Sequence, residues 1–183
     1  MRETRAGDGA GSGTKTDFCK KSITSKVVDW LPLLDNPAII KIILNSLGFL
    51  QKEKRLTLYA YVIMKTHLHL VASSENISKE IANFRSYTAR KSIDHLKEHE
   101  RPKILELLSQ QKLSTRQDRE YQFWQQGVQP KRIHDRKMMT QKITYIHENP
   151  VRKGYVDKAE DWQYSSAGIY AGKDDPLAVY TDW

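Results

Sequence analysis

Two histidines separated by a single leucine stand in an apolar part of the chain. His67 and His69 lie in MKTHLHLV, residues 64–71. In a strand alternate side chains share a face, so the two imidazoles would point the same way from backbone positions about 6.5–7 Å apart. Neutral imidazole is a common ligand of divalent metals, and both rings could reach one ion. Two half-buried structural histidines on an edge strand give the same pattern, and the pair taken alone favours that interpretation.

A tyrosine and an asparagine are spaced to share one face of a later helix. Tyr145 and Asn149 lie in ITYIHENPVRKGYV, residues 143–156, and four residues are one helical turn, about 6 Å along the axis. If this helix packs beside the histidine strand, Asn149 can offer a carbonyl oxygen to the same metal. Tyr145 would then lie within reach of a phosphate bound to that metal. The alternative is that Tyr145 is a core aromatic and Asn149 an ordinary residue before Pro150.

Basic residues surround this helix and line another one. The candidates for DNA contacts are Lys131, Arg132, Arg136 and Lys137 before the helix, with His134 among them, Arg152 and Lys153 after it, and Arg85, Arg90 and Lys91 on the other helix. For each residue alone, solvated surface charge explains the position equally well. As a group around a nucleophile they would hold phosphates and make binding depend steeply on salt. Tyr121, Phe123 and Trp124 could stack on unpaired bases, although core packing is favoured for Trp124.

The elements that must position these residues follow from periodicity. Apolar residues at three- and four-residue spacing predict helices over 35–54, 74–100 and 135–149, the first with Asp35 and the last with Asp135 as N-cap. The last helix is expected to stop near Asn149 because Pro150 follows. β-branched and aromatic runs predict strands over 18–30, 56–64 and 66–73, and only Lys65 and Thr66 separate the last two, which indicates a hairpin.

The order of elements predicts a fold class. The order suggests an α+β domain whose antiparallel sheet is covered by helices. It runs strand, helix, hairpin, long helix, insertion, further helix and a final strand in the tail. A ferredoxin-like arrangement fits this order. Residues 1–16 are rich in glycine and charge and are expected to form a disordered arm. Residues 17–175 would form a single domain and residues 176–183 a C-terminal tail.

Composition narrows the class of partner. Among 183 residues, 30 Lys and Arg against 22 Asp and Glu give a net charge of +8, which favours a polyanionic partner such as nucleic acid. No segment approaches the roughly 18 apolar residues of a membrane span, so no membrane association is expected. Cys19 is the single cysteine, which excludes an intrachain disulfide and fits a reducing, cytoplasmic setting.

The residue blocks together resemble a known family. The chain resembles the single-tyrosine HUH transposases over about residues 18–172. The blocks that carry the resemblance are YAYVIMKTHLHLVAS, EIANFRSYTARK, YQFWQQG, MMTQKITYIHENPVRKGYV and DWQYSSAGIYAG. The similarity is to the REP-associated tyrosine transposases and the small insertion-sequence transposases. It implies a ferredoxin-like HUH domain in which His67 and His69 match the two motif histidines. Tyr145 matches the nucleophile and Asn149 the third metal ligand.

The resemblance also implies a reaction and its partners. Such enzymes cleave and rejoin single-stranded DNA at hairpins through a 5′-phosphotyrosine intermediate, with a divalent ion that is usually Mg²⁺ or Mn²⁺. The expected partner is therefore single-stranded or hairpin DNA, and a homodimer is among the expected assemblies. The protein itself is expected in the cytoplasm, associated with the nucleoid. Ligand type alone would also permit zinc. Where the family usually has Pro-Asn before the first motif histidine, this chain has Lys65-Thr66, which puts a nearby hydrogen bond in question.

Two other functions and a second tyrosine stay open at this point. A non-catalytic binder of DNA or RNA hairpins would use the same scaffold without Tyr145 chemistry. A metal-dependent phosphodiesterase would use the histidines to activate water and would form no protein–DNA adduct. Tyr87, in FRSYTARK, is the rival nucleophile. Its one-turn neighbour is Lys91, a poor metal ligand when charged, so Tyr145 is preferred.

Overall fold

Four strands and five α-helices make up the described part of the chain. The computed structural model describes residues 18–112, 120–175 and 177–183, so the predicted arm of residues 1–16 lies outside it. The strands are β1 (Lys21–Lys26), β2 (Thr57–Met64), β3 (His67–Ser73) and β4 (Lys131–Arg132). The helices are α1 (Pro37–Lys52), α2 (Ile77–Glu98), α3 (Pro102–Gln110), α4 (Arg136–Arg152) and α5 (Ala167–Tyr170). None of these helices is long and apolar enough to cross a lipid bilayer.

The strands form one antiparallel sheet in the order β2-β3-β1-β4. Strands β1 and β2 both run antiparallel to β3, so they are parallel to each other with β3 between them, as in the split βαβ unit of a ferredoxin-like fold. The predicted α+β class is therefore confirmed. The prediction of a final strand in the tail was wrong, because β4 precedes α4. In the residues that the structure describes after α4, the β-pairing is an isolated bridge between Ser165 and Val62.

Helices cover both faces of the sheet. On one face Leu68 and Leu70 join the apolar core formed with α1 and α2. On the other face Val71 packs with Met139 and Ile143 of α4. The side chains of β3 thus alternate as its sequence predicts, and the face that carries His67 and His69 is the face that α4 covers.

Two element boundaries at the N-terminal side differ from prediction. β1 is shorter than the predicted strand of residues 18–30, because Val28 donates its N–H to the Phe123 carbonyl (2.9 Å) and the chain turns into a short 3-10 helix at Val28–Trp30. The cap of α1 is Asn36 rather than Asp35, since the Asn36 side chain accepts the N–H of Ala38. Asp135 caps α4 as predicted by accepting the N–H of Met138.

Helix α4 does not stop before Pro150, and that prediction was wrong. Proline removes one hydrogen-bond donor, but the next turn is completed by the bond from the Lys153 N–H to the Asn149 carbonyl (3.1 Å). The chain leaves the helix at Gly154, whose φ of 66° is in the left-handed region that glycine adopts easily. Arg152 is consequently helical, two turns after Tyr145 and on the same side.

The segment after α4 covers the free edge of β2. The N–H of Ile63 donates to the Tyr164 carbonyl (2.8 Å), that of Ser166 to Tyr61 (3.0 Å) and that of Tyr180 to Leu58 (2.8 Å). A covered edge has no row of free backbone groups for another chain to pair with. A homodimer formed by continuing the sheet through β2 is therefore disfavoured.

A buried hydrogen bond fastens the end of the chain to the sheet. The Tyr61 hydroxyl donates to both carboxylate oxygens of Asp175 (2.8 and 2.6 Å), and the same carboxylate accepts the N–H of Leu177. Burial, followed by the Asp175 carboxylate, raises the pKa of Tyr61 above its ordinary range, so the phenol stays protonated. Asp175 thus holds a side chain that is only 1% exposed.

Replacing Asp175 by alanine is expected to lower stability by about 2 kcal/mol, because it leaves a buried hydroxyl without its acceptor. The melting temperature should fall by roughly 4–8 °C. Asp174→Ala removes a carboxylate from an exposed neighbour and should shift it little. Thermal unfolding followed by circular dichroism measures both variants, and equal shifts would show that the Tyr61 bond contributes nothing.

Candidate metal and nucleic-acid site

A groove of about 730 Å³ lies where β3, β1 and α4 meet. It is lined by His67 and His69 from β3, by Tyr145 and Asn149 from α4, and by the segment of residues 125–129. The fold therefore brings together the candidate metal ligands His67, His69 and Asn149 and the candidate nucleophile Tyr145. Their meeting depends on the alternation of β3 and on the docking of α4 against the same face of the sheet.

Each histidine of the pair is oriented by a threonine. The two rings are perpendicular, with centroids 4.7 Å apart. His67 Nδ1 lies 2.9 Å from the Thr66 hydroxyl, and His69 Nδ1 lies 2.9 Å from the hydroxyl of Thr24, its direct cross-strand neighbour on β1. Because the hydrogen bonds with the threonine hydroxyls use Nδ1, the Nε2 atom of each ring is available to bind a metal. Thr66, the departure from the family pattern, thus supplies a hydrogen bond to the histidine that follows it.

Both imidazoles are held in the neutral form. Burial lowers the pKa of His69 to about 3, with further contributions from His67 and Lys26. Burial, then Lys26 and Lys153, lowers the pKa of His67 to about 4. Neutral imidazole is the form that binds a metal, so the pair is prepared for a cation near neutral pH.

The α4 residues lie directly beside this pair. The Tyr145 ring is 5.7 Å from the His69 ring, and the residue is 45% exposed and lines the groove. Asn149 is buried, and its Nδ2 donates to the Tyr145 carbonyl at 2.9 Å. Because that bond uses the amide nitrogen, the Oδ1 atom is the part of Asn149 suited to bind a cation. Ile146, between Tyr145 and Asn149 on α4, is buried in the apolar cluster that α4 forms with the sheet.

The predicted basic residues divide into two groups. Lys131 and Lys153 line the groove, and the Arg152 guanidinium lies 5.0 Å above the Tyr145 ring. Lys26 and Lys142 also line the groove, although the sequence analysis did not single them out. Lys26 belongs to β1 on the same face as Thr24, a position that the strand's alternation would have indicated. The groove that Tyr145 lines therefore carries several cations, which suits phosphate binding.

The remaining basic candidates lie elsewhere. Arg132 and Arg136 line a second cavity of about 420 Å³ together with His134, and Lys137 is exposed at the start of α4. Arg90 and Lys91 are exposed on α2, which packs on the opposite face of the sheet. Arg85 is partly buried, its guanidinium bonds the Gln125 carbonyl, and burial lowers its pKa. Arg85 therefore supports the wall of the groove from behind.

The aromatic candidates for base stacking are mostly core residues. Phe123 and Trp124 are 2% and 3% exposed, and the Trp124 indole donates to Thr88 inside the core. The preference for a core role of Trp124 fits this burial. Tyr121 bonds the neighbouring Glu120 and does not line the groove. An aromatic residue that does line it, Trp30, follows β1 and was not singled out in the sequence.

A second group of side chains could hold a metal. His95, Glu98 and His99, at the end of α2, place potential ligand atoms within 4.8 Å of one another. The His95 and His99 rings are in contact, with centroids 4.0 Å apart and planes tilted by 41°. None of the three lines the groove, and α2 packs on the face of the sheet opposite to α4. The groove and this helix end are thus two separate candidate cation sites, and experiments must distinguish them.

His147, which lies on α4 two residues after Tyr145, is buried in the protein interior. Its Nε2 lies 2.9 Å from the Ser166 hydroxyl, and its ring contacts Tyr170. Burial lowers its pKa to about 4. His147 therefore belongs to the buried side of α4.

Comparisons with known proteins bear on the family resemblance and on the fold. No protein-family model matches the chain. A curated protein of Haemophilus influenzae, "Putative REP-associated tyrosine transposase", is 42% identical over 48 residues, which cover 26% of this chain and 27% of that protein. The match therefore spans about a quarter of that relative. A solved structure of a REP-associated tyrosine transposase bound to a REP hairpin has a similar fold, with a TM-score of 0.61 and 14% identity. The similarity covers 100% of this chain and 94% of that one, and the family resemblance and the fold class expected from the sequence are confirmed.

Proposed function

We infer that this chain works as a REP-associated tyrosine transposase, an HUH enzyme that cleaves and rejoins single-stranded DNA at hairpins. The observation that carries the inference is the placement of a half-exposed Tyr145 ring 5.7 Å from His69, inside a groove lined with lysines. A nucleophile, a candidate metal site and phosphate-binding cations meet in one place. The similarity to a structure bound to a REP hairpin supports hairpin DNA as the partner.

The residues present fit a divalent cation. His67 and His69 each keep Nε2 available because a hydroxyl holds Nδ1, and Asn149 adds a carbonyl oxygen. Two neutral imidazoles and one amide oxygen leave open positions for phosphate oxygens, which suits Mg²⁺ or Mn²⁺. When bound, the ion would neutralise charge on the scissile phosphate. Each ligand would come from a rigid strand or helix, which lowers the entropic cost of binding.

Tyr145 is proposed to carry the covalent step. Its phenolic oxygen forms a bond to phosphorus and releases its proton to water, while the bond from phosphorus to the 3′ oxygen breaks. The 3′ oxygen takes up a proton and leaves as a hydroxyl, and the DNA 5′ end stays attached to Tyr145. Attack by another 3′-hydroxyl reverses the step, and no external energy source is needed because the phosphodiester energy is conserved.

The cations of the groove are proposed to hold the DNA backbone. Arg152 lies above the Tyr145 ring, and Lys153 and Lys131 line the groove. A guanidinium beside the phenol can contact the phosphate that Tyr145 attacks and stabilise the charge that develops on it. Contacts of this kind release counterions, so hairpin binding should weaken steeply with salt.

The Thr24 bond to His69 offers a test of the metal site that leaves both histidines in place. Thr24→Val keeps the shape but removes the hydroxyl at Nδ1, and affinity for Mn²⁺ should fall about 10- to 100-fold. Ser22→Ala changes a groove residue on the same face of β1 and should leave the affinity unchanged. Titration calorimetry with Mn²⁺ measures both, and equal affinities for the two variants would show that the Thr24 bond does not prepare His69 for a metal.

Adduct formation tests the function as a whole. The protein is incubated with hairpin DNA from the flanks of its own gene, labelled at either end, with Mg²⁺ or Mn²⁺ and with EDTA as the control. A 5′-phosphotyrosine link predicts that 3′-labelled DNA migrates with the protein on a denaturing gel. The 5′-labelled DNA should appear as a shorter fragment with a 3′-hydroxyl. Cleavage without an adduct would instead indicate a phosphodiesterase, and binding without cleavage would indicate a hairpin-binding protein.

A further inference from the structure

The chain adopts an unfavourable backbone conformation at the rim of the groove. Asp29 and Trp30 are consecutive residues with φ of 51° and 54°. This left-handed region is uncommon for residues other than glycine and is especially unfavourable for a bulky side chain. Strain of this kind persists only where the surrounding structure enforces it, and it is concentrated at functional sites.

Three backbone hydrogen bonds enforce this turn. Val27 donates to the Thr66 carbonyl, Val28 to the Phe123 carbonyl and Leu34 to the Lys65 carbonyl, each at 2.9 Å. Two of the acceptors belong to the β2–β3 turn that directly precedes His67. The turn at residues 28–30 is therefore tied to the same rigid hairpin that carries the histidine pair, and its orientation relative to that pair is set.

The enforced turn presents an indole to the groove. Trp30 is 52% exposed and contacts the His67 ring edge-on, with centroids 5.9 Å apart. The Lys26 ammonium lies 4.5 Å from the centre of the indole ring. Of the large hydrophobic residues that are exposed in the described ranges, Trp30 and Tyr145 are the two that line the groove. Tyr145 is the proposed nucleophile. Trp30 is a large aromatic side chain that stays half exposed instead of being buried in the core.

We propose that Trp30 is a stacking platform for an unpaired base next to the phosphate that Tyr145 attacks. The inference rests on the proposed function, since it assumes that single-stranded DNA enters this groove. Base–aromatic stacking tolerates every base because each has a π face, and the larger purine rings should stack more strongly. Lys26 supplies the charge for the adjoining phosphate. The strained turn fixes the indole in advance, so little conformational freedom is lost when the base binds.

Hairpin binding without cleavage tests this site directly. Fluorescence anisotropy in EDTA measures affinity for labelled hairpins that carry single-stranded extensions on both sides, taken from the DNA flanking the gene. Trp30→Ala should weaken binding by about ten-fold or more, whereas Trp30→Phe, which keeps an aromatic face, should lose much less. Phe49→Ala removes an aromatic side chain of similar exposure (54%) from α1 and should leave the affinity unchanged.

A scan of abasic positions along the extensions locates the base. One position should weaken binding to the wild type and have no further effect on Trp30→Ala, because the two changes remove the same contact. DNA binding should also quench tryptophan fluorescence less in Trp30→Phe than in the wild type. Thermal melting of each variant confirms that the fold is kept.

Two results would overturn the proposal. Equal affinities for Trp30→Ala and Phe49→Ala would show that the indole contacts no base. A loss in Trp30→Ala that adds to every abasic change alike would show that the residue only supports the turn. Failure of the proposed function gives a different result. The abasic scan in EDTA would still identify a base that stacks on Trp30, but no protein–DNA adduct would form with Mg²⁺ or Mn²⁺. Absence of any hairpin binding would overturn both.

Discussion

Tyr145→Phe is expected to abolish the covalent protein–DNA band while hairpin affinity stays within about two-fold of the wild type. The substitution removes only the nucleophilic oxygen, so strand transfer should fall by at least about a thousand-fold. The ring that contacts His69 and lies under Arg152 is kept, and the local packing should not change. Denaturing gels measure the adduct, and anisotropy in EDTA measures the binding.

Tyr87→Phe is the matched control for this experiment. Tyr87 has the same exposed fraction as Tyr145, 45%, and also has an arginine near its ring. It belongs to α2, on the opposite face of the sheet, and does not line the groove. Adduct formation should therefore be unchanged. An adduct that survives Tyr145→Phe and is lost in Tyr87→Phe would assign the nucleophile to α2 and refute the proposed site.

Removing an imidazole from the groove is expected to eliminate metal-dependent cleavage. His67→Ala is a cleaner variant than His69→Ala because His67 is less buried than His69, and each of these two changes removes one of three proposed ligands. Adduct formation at a fixed Mn²⁺ concentration should fall by at least about a hundred-fold, since the two remaining ligands hold a cation weakly. Binding of the hairpin in EDTA should persist, because the groove lysines are untouched.

The helix-end group provides the comparison for this result. His95→Ala and His99→Ala each dismantle the second candidate cation site without changing the groove. Their adduct yield and its dependence on Mn²⁺ should match those of the wild type. The reverse outcome, with cleavage lost in the α2 variants and retained in His67→Ala, would place the required ion at the end of α2. Circular dichroism of all four histidine variants checks that each is folded.

Local rules in the sequence predict much of the site. Alternation in β3 puts His67 and His69 on one face, and the spacing of Tyr145 and Asn149 puts them on one face of α4. The two-residue connection at Lys65-Thr66 is too short for anything but a hairpin. Each of these inferences needs only the geometry of a single element, and each agrees with the structure.

Predictions that depend on how a helix or strand ends were less accurate. Pro150 predicts the end of α4, yet later hydrogen bonds carry the helix to Arg152 and bring its guanidinium over Tyr145. The fourth strand is Lys131–Arg132 and not a part of the tail, because β1 offers its free edge to that segment. Both outcomes are decided by neighbouring partners, and local propensity contains no information about them.

The sequence by itself determined which residue types share a face, that the chain is basic, and which family it resembles. Tertiary structure alone decided that the α4 face meets the β3 face and that Arg90 and Lys91 lie behind the sheet rather than in the groove. It also decided that Trp30 stands exposed beside His67. The physical reason is that faces and periods follow from the geometry of one element, whereas proximity depends on which apolar surfaces pack together and which backbone groups find partners across the chain.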